Sequence, residues 1–350
     1  MIYFFLALVL AGILTYGVRL AATKLGILDY PDNDRHRHKF PVSLWGGIGI
    51  WAAFWLVLAM AIRHQAVVGP DLSTAKIIGV FIGSTIMLVV GLMDDKWKIS
   101  PRARLLVSLV AVLVVMAAGV GITKITNPFG GIWYLDFISW QFGWLQIFPV
   151  AALIVLVWIM GTTYTMKVLD GLDGLATGIA VIGALMIGLI ASTERWYQPS
   201  VALMAFILAG AALGFLIWNW SPAKIYLAEG GGLFLGFMLG VLAVIAGGKF
   251  ATALLVMAVP ILDLAWVIMA RRRRGQAVSQ GDREHLHFRL IDAGFGERQV
   301  VVFYYLTAIL FGLATLFLQS HEKIVILFFL IILALALELL VNRMKNLSRP

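Results

Sequence analysis

The chain has 350 residues, of which 61% are hydrophobic and 13% charged; its mean hydropathy is +0.95 and its formal net charge +9. A soluble domain carries about 25% charged residues, so the composition excludes a soluble enzyme, a disordered chain and a fibrous repeat. Cysteine is absent, which excludes a disulfide framework, a thiolate nucleophile and a Cys-ligated metal.

A helix crosses a bilayer with about 20 apolar residues. Eleven stretches qualify in chain order: 2–22, 45–63, 76–93, 104–123, 145–166, 174–192, 200–219, 231–248, 251–270, 299–319 and 323–341. The first has no basic segment before it and no small-residue cleavage site at its end, so it reads as a retained span. No soluble segment interrupts the array. The expected fold is all-α, a polytopic integral membrane protein with about eleven transmembrane helices, forming a single domain over 1–350.

The basic residues set the expected orientation. Of the 27 Lys and Arg, 20 fall in loops after odd-numbered spans or in the C-terminal tail, and six in loops after even-numbered spans. This bias predicts the N-terminus outside, the C-terminus cytoplasmic, and a multi-pass protein of the cell (inner or plasma) membrane. It also accounts for the positive charge without nucleic acid. Arg271 to Arg274 read as a topogenic anchor first and a headgroup site second.

The acids point the same way, although no topology rule requires it. Twelve of the 18 Asp and Glu lie in the loops assigned to the cytoplasm, with four of the six histidines. A carboxylate at a helix mouth is costly unless paired, hydrated or metal-bound. Five loops therefore form the candidate active face: 24–44, 94–104, 167–173, 220–230 and 271–298.

In the first loop, Asp34-Arg35-His36-Arg37-His38-Lys39 runs into Gly46-Gly47, and a topogenic cluster explains it as well as function does. Gly91-Leu-Met-Asp94-Asp95 closes span three. Neighbours on a helix diverge by about 100°, so one carboxylate can hold a metal while the other faces a substrate; a solvated helix end is the plain alternative. Asp170-Gly-Leu-Asp173-Gly after span five places two carboxylates on one face if helical, and Gly171 and Gly174 permit a tight turn. An ordinary loop explains that pattern poorly. Lys224-Ile-Tyr-Leu-Ala-Glu229-Gly-Gly-Gly232 enters span eight, where the glycine N–H groups suggest a phosphate cradle. Asp263 follows Pro260 inside span nine. Pro260 should kink that helix, and an intramembrane Asp is a functional or a hydrogen-bonding residue. Asp282-Arg283-Glu-His285-Leu-His287-Phe-Arg289 lacks the companions of a zinc site, so its imidazoles and guanidiniums read as phosphate donors or as a solvated polar loop. The outer stretch 127–140, rich in Trp, Tyr and Phe, fits the headgroup zone without a function.

Oxygen ligands without thiolates select a hard cation, Mg²⁺ or alternatively Mn²⁺. Phosphoryl transfer needs mainly positioning and charge neutralisation. A site at the membrane surface can join a soluble phosphate donor to a lipid-borne acceptor.

The motifs, in order, resemble the polyprenyl-phosphate N-acetylhexosamine-1-phosphate transferases. They are Asp29-x-Pro31-Asp32, Arg35-x-x-His38, Pro41, Gly46-Gly47, Gly91-Leu-x-Asp94-Asp95, Asp170-Gly-Leu-Asp173-Gly-Leu, Lys224-Ile-x-Leu-x-Glu229-x-Gly and Asp282-Arg-x-His285-x-His287. The resemblance covers nearly the whole chain. It implies transfer of a sugar 1-phosphate, GlcNAc-1-phosphate above others, from a UDP-sugar to undecaprenyl phosphate. UMP is released and Mg²⁺ is required. By matched position it implies that Asp94 and Asp95 activate the acceptor phosphate or bind metal, that Asp170 and Glu229 hold the metal, and that Asp173 faces the nucleotide. His38, His285, His287 and Arg289 are implied as substrate contacts; Arg283, Lys167 and Asp263 are expected to join them on their own chemistry, not by the match. The first loop lacks the Thr-Pro-Thr-Met-Gly-Gly text of the muramyl-pentapeptide branch. Three departures stand out. The usual Asn-x-x-Asn is Tyr164 and Lys167, the usual Gly-Asp-x-Gly-Ser is Ala228-Glu229-Gly-Gly-Gly232, and one of the usual histidines is Phe288. The alternatives are a phospho-MurNAc-pentapeptide-type transferase, a secondary transporter and an inactive membrane scaffold. The expected partners are the two substrates and the bilayer, with a homodimer as the oligomer to consider.

Overall fold

A computed structural model describes residues 1–30, 40–66, 72–127, 131–142, 145–247, 250–277 and 284–318, with residues 322, 325, 326, 328, 329 and 332 beyond them. His38, Arg283 and most of the eleventh predicted stretch lie outside the described residues.

The elements run α1 (Ile2–Lys24), β1 (Leu28–Asp29), β2 (Val42–Ser43), α2 (Gly47–Arg63), α3 (Thr74–Trp97) and α4 (Pro101–Ala117). Then come β3 (Lys124–Thr126), β4 (Ile132–Tyr134), β5 (Trp140–Phe142), β6 (Leu145–Ile147), α5 (Pro149–Leu169), α6 (Leu175–Ala191) and α7 (Pro199–Asn219). The chain continues through α8 (Ala228–Ile245), α9 (Phe250–Val256), α10 (Ala258–Arg273), α11 (Leu286–Asp292) and α12 (Glu297–Phe317). Helices α1, α3, α5, α7, α8 and α12 are long and apolar enough to cross a membrane; α2 and α6 are shorter apolar helices. The chain is a polytopic membrane protein, as its composition predicts.

Local chemistry sets the helix ends. Ser73 caps α3 by accepting the Lys76 N–H at 3.3 Å, and Ser100 caps α4 by accepting that of Ala103 at 3.3 Å, with Pro101 at the first helical position. Lys98, with φ +50°, ends α3 in the left-handed region. The expected ninth span is two helices. Pro260 brings no N–H, and its ring crowds the carbonyl four residues earlier; α9 accordingly ends at Val256 and α10 begins at Ala258.

The all-α expectation needs one correction. Among the described residues, three two-stranded antiparallel ribbons join helices: β1–β2, β3–β4 and β5–β6. The last two lie in the aromatic stretch between α4 and α5, where Trp133, Tyr134, Phe137 and Trp140 are exposed.

Helix α8 is the axis of the bundle, with every residue but Glu229 buried. Its glycines let neighbours approach to backbone contact. A Cβ on Gly91 of α3 would lie 2.2 Å from Gly230 Cα, one on Gly47 of α2 would lie 2.4 Å from Gly231 Cα, and one on Gly236 would lie 2.6 Å from the Thr162 carbonyl of α5. These approaches bring the ends of α3, α5 and α8 together.

Candidate active site

The site gathers where α3 and α5 end and α8 begins. Asp94 and Asp95 diverge, as adjacent helical residues must. Asp94 is buried and paired with Arg104 of α4. Asp95 turns to α8, where its Oδ1 accepts the Glu229 N–H at 3.2 Å; its Oδ2 is buried with no hydrogen-bond partner. The residue before Glu229, Ala228, has φ +61°, a conformation costly for a residue with a Cβ.

Glu229 is tied across to α5, its Oε1 accepting from Lys167 Nζ at 2.9 Å, while its Oε2 is buried without a partner. Asp170 follows the last residue of α5. Burial and the negative fields of Glu229, Asp95 and Asp173 push its carboxyl well above the usual carboxylate range, and Lys167 pulls the other way. Asp95, Asp170, Asp173 and Glu229 thus share one electrostatic neighbourhood with Lys167 inside it.

The turn carrying Asp170 and Asp173 is clamped from three sides. Asp173 Oδ2 accepts the Ala223 N–H at 2.8 Å, and the Asp173 N–H donates to Glu297 Oε1 of α12 at 3.1 Å. Gly174, at φ +78°, starts α6. Its N–H donates to Asn219 Oδ1 at 3.1 Å, and its carbonyl accepts the Tyr305 hydroxyl at 2.6 Å. Asn219 is buried; it also accepts from Thr177 and donates to the Ile225 carbonyl at 3.1 Å. On the third side sits α11. A Cβ on Gly171 would meet Phe288 at 2.6 Å and His287 Nε2 at 2.7 Å.

Helix α11 is in turn fixed to α10 by Asp263. Its Oδ2 lies 2.9 Å from His285 Nδ1, and its Oδ1 accepts the Leu286 N–H at 2.8 Å. Asp263, expected at substrate, therefore holds the loop that carries the histidines. His285, His287 and Arg289 are buried, and the two imidazoles stack with ring centres 5.8 Å apart.

Of the predicted site residues, the structure brings Asp94, Asp95, Lys167, Asp170, Asp173 and Glu229 to one end of the bundle, with Asp263, His285, His287 and Arg289 on the α10–α11 side of it. The glycine cradle needs correction. Gly230, Gly231 and Gly232 lie inside α8, buried against Leu88 of α3, Gly47 of α2 and Lys167 of α5. They serve helix packing.

Sequence reasoning missed Arg104, Asn219, Tyr226 and Glu297. Arg104 read as one more topogenic cation, yet it stands inside α4 against an acid. Asn219 carried a usable signal, an amide closing an apolar run. Tyr226 lies half-buried between α7 and α8. Burial, then the fields of Asp173, Asp29, Glu297 and Asp170, push its hydroxyl pKa up, so it stays a hydrogen-bond donor at neutral pH.

A family model described as glycosyl transferase family 4 matches residues 77–247. That stretch runs from α3 through α8 and contains Asp94, Asp95, Lys167, Asp170, Asp173 and Glu229. Over that stretch the chain is similar to glycosyl transferase family 4. The chain is also similar to a probable undecaprenyl-phosphate N-acetylglucosaminyl 1-phosphate transferase of Bacillus subtilis, 28% identical over 96% of this chain and 90% of that protein. A decaprenyl-phosphate N-acetylglucosaminephosphotransferase of Mycobacterium tuberculosis is 29% identical over 85% and 78%. An undecaprenyl-phosphate alpha-N-acetylglucosaminyl 1-phosphate transferase of Escherichia coli K12 is 28% identical over 83% and 76%.

Proposed function

We propose that this chain transfers N-acetylglucosamine 1-phosphate from UDP-N-acetylglucosamine to a polyprenyl phosphate, undecaprenyl phosphate being the expected acceptor. An oxygen of the lipid phosphate attacks the β-phosphorus of the donor. The bond from that phosphorus to the bridging oxygen breaks, and UMP leaves with the bridging oxygen. The observation that carries this reading is the meeting of Asp95, Asp170, Glu229 and Lys167 at one helix-end junction, walled by α11 with its histidines and Arg289.

Roles follow from the contacts. Asp95 keeps an unpartnered oxygen for the reacting centre, and Asp94 holds Arg104 where a second anion can meet it. Asp170 completes the wall of acids, ionising when a cation stands beside it. Asp173, engaged by Ala223, fixes the turn on the nucleotide side. Asp263 positions His285, which with His287 and Arg289 faces the donor's phosphates or sugar.

Mg²⁺ is the proposed cofactor, with Mn²⁺ as its substitute. The donors are oxygens, which suits a hard cation, and Asp95 Oδ2 and Glu229 Oε2 are buried oxygens without partners. Among the described residues, however, no group of three or more acidic or imidazole side chains converges to hold a metal. The residues fit an ion that keeps most of its ligands from phosphates and water, as Mg²⁺ commonly does. Asp170 and Glu229 would hold it, and it would neutralise charge developing on the diphosphate.

We place the site on the cytoplasmic side of the cell membrane, with the N-terminus outside and the C-terminus inside.

The test is mass spectrometry of the lipid fraction after purified protein meets undecaprenyl phosphate and a panel of UDP-sugars. The expected product is the lipid-pyrophosphate-linked N-acetylglucosamine, with UMP in equal amount. Asp95→Asn should lower turnover by about 10²-fold or more, the usual cost of an essential charged group at a reacting centre. Absence of lipid product from every UDP-sugar would sink the reading, and product from the MurNAc-pentapeptide donor alone would move the chain to that branch.

A further inference from the structure

Lys167 stands apart from the basic residues at the rim. Lys96, Lys98 and Arg102 are exposed, as topogenic cations are. The Lys167 side chain is only 18% exposed and points into the acid cluster, with Nζ 2.9 Å from Glu229 Oε1. Its backbone has little freedom: α5 and α8 meet so closely that a Cβ on Gly232 would lie 3.3 Å from Lys167 Cα. Asp170 feels its field directly. An ammonium has three donors; Glu229 takes one, and two remain for a ligand.

Two carboxylates, Glu229 by direct contact and Asp170 through its field, therefore share one fixed ammonium, with Asp95 on the far side of Glu229. Such a cluster repels a diphosphate unless a cation stands between. Here a cation is built in, anchored by the same Glu229 that a divalent ion would need. An ammonium imposes no coordination geometry, whereas Mg²⁺ demands a near-octahedral shell. Glu229 has one oxygen on Lys167, so a divalent ion at Glu229 would compete with the ammonium for it.

We propose that the Lys167 ammonium, anchored on Glu229, is the resident cation that takes the donor's diphosphate, so that this chain binds its UDP-sugar without a divalent metal. The inference rests on the transferase reading and deepens it. Mg²⁺ then assists transfer but is not required for capture of the donor.

The experiment measures UDP-N-acetylglucosamine binding to full-length protein in nanodiscs by calorimetry, with EDTA or with Mg²⁺. For the unaltered chain, the two affinities should agree within about 3-fold. Lys167→Asn should weaken metal-free binding by roughly 10–100-fold, the worth of a charge-assisted hydrogen bond, and Mg²⁺ should restore much of it. Lys167→Arg, which keeps the charge, should remain tolerant of EDTA. Without nucleotide, Mn²⁺ binding followed by electron paramagnetic resonance should strengthen in Lys167→Asn, because Glu229 is released. Equal EDTA sensitivity of the unaltered chain and Lys167→Asn overturns the proposal. If lipid product forms while donor binding collapses in EDTA, the role of Lys167 fails alone. If the unaltered chain binds no UDP-sugar even with Mg²⁺, the transferase reading fails and takes this inference with it.

Discussion

Neighbouring carboxylates at this site differ because their surroundings differ. Asp94 is neutralised by Arg104, while Asp95, one residue on, keeps a buried oxygen without a partner. Asp170 has three acids around it and one lysine. Its carboxyl is raised, so the folded, ligand-free chain favours the protonated form there. The sign of the pH effect follows. Stability from this group is fully present below the ordinary carboxylate value of 3.8. It is lost as pH rises through the raised value, because ionisation is then easier in the unfolded chain. Thermal melting of the ligand-free protein from pH 5 to 9 should therefore show the unaltered chain losing stability with rising pH. Asp170→Asn should flatten that slope, gain most at the alkaline end and lose turnover. A variant whose melting profile runs parallel to the unaltered chain at every pH would contradict this account of Asp170.

At the scale of elements, glycine spacing on α8 decides whether the site assembles. The atoms facing Gly91 are backbone atoms of Gly230 and Glu229, and they cannot rotate away. Gly91→Val should push α3 off α8, cost about 1–3 kcal/mol as overpacking does, and separate Asp95 from the Glu229 N–H. Gly161 of α5 has nothing within 4 Å of a Cβ, so Gly161→Ala should be neutral or stabilise by up to about 1 kcal/mol through helix propensity. Melting temperature and turnover of the pair check both halves; equal behaviour of the two variants would refute the packing role. Much of the helix layout was legible, because spans of about 20 apolar residues have few alternatives in a bilayer. Proline chemistry likewise announced an irregularity in the ninth span, though not the full break at Met257. The glycines beside Glu229 were misread, since a Gly-rich helix start looks the same whether it faces a phosphate or another helix. The ribbons between α4 and α5 were not legible, because aromatic residues suit a membrane interface and a strand equally. The Asp-Gly-Leu-Asp-Gly turn and the acids around it were visible as charges with no topological duty. Arg104, which holds Asp94, was hidden because a topogenic cation explains it in one dimension, whereas Asn219, an amide closing an apolar run, could have been found.

Across the whole molecule, charge and connectivity agree on one basic end. Helix α3 finishes at the acid cluster and α4 starts beside it, whereas the β3–β6 ribbons join the far end of α4 to the start of α5. The Arg271–Arg274 run closes α10, and α11 returns from there to the cluster. The end that holds the site thus also holds the loops richest in Lys and Arg, the end that the positive-inside rule assigns to the cytoplasm. The lack of cysteine makes the orientation directly measurable. Tyr134, exposed on the ribbon side, and Phe295, exposed between α11 and α12, are suited to single-cysteine substitution. In intact cells, a membrane-impermeant maleimide should label Tyr134→Cys and leave Phe295→Cys unlabelled until the membrane is opened. The reverse pattern would put the acid cluster outside, away from any nucleotide-activated sugar made in the cytoplasm, and would exclude the proposed donor.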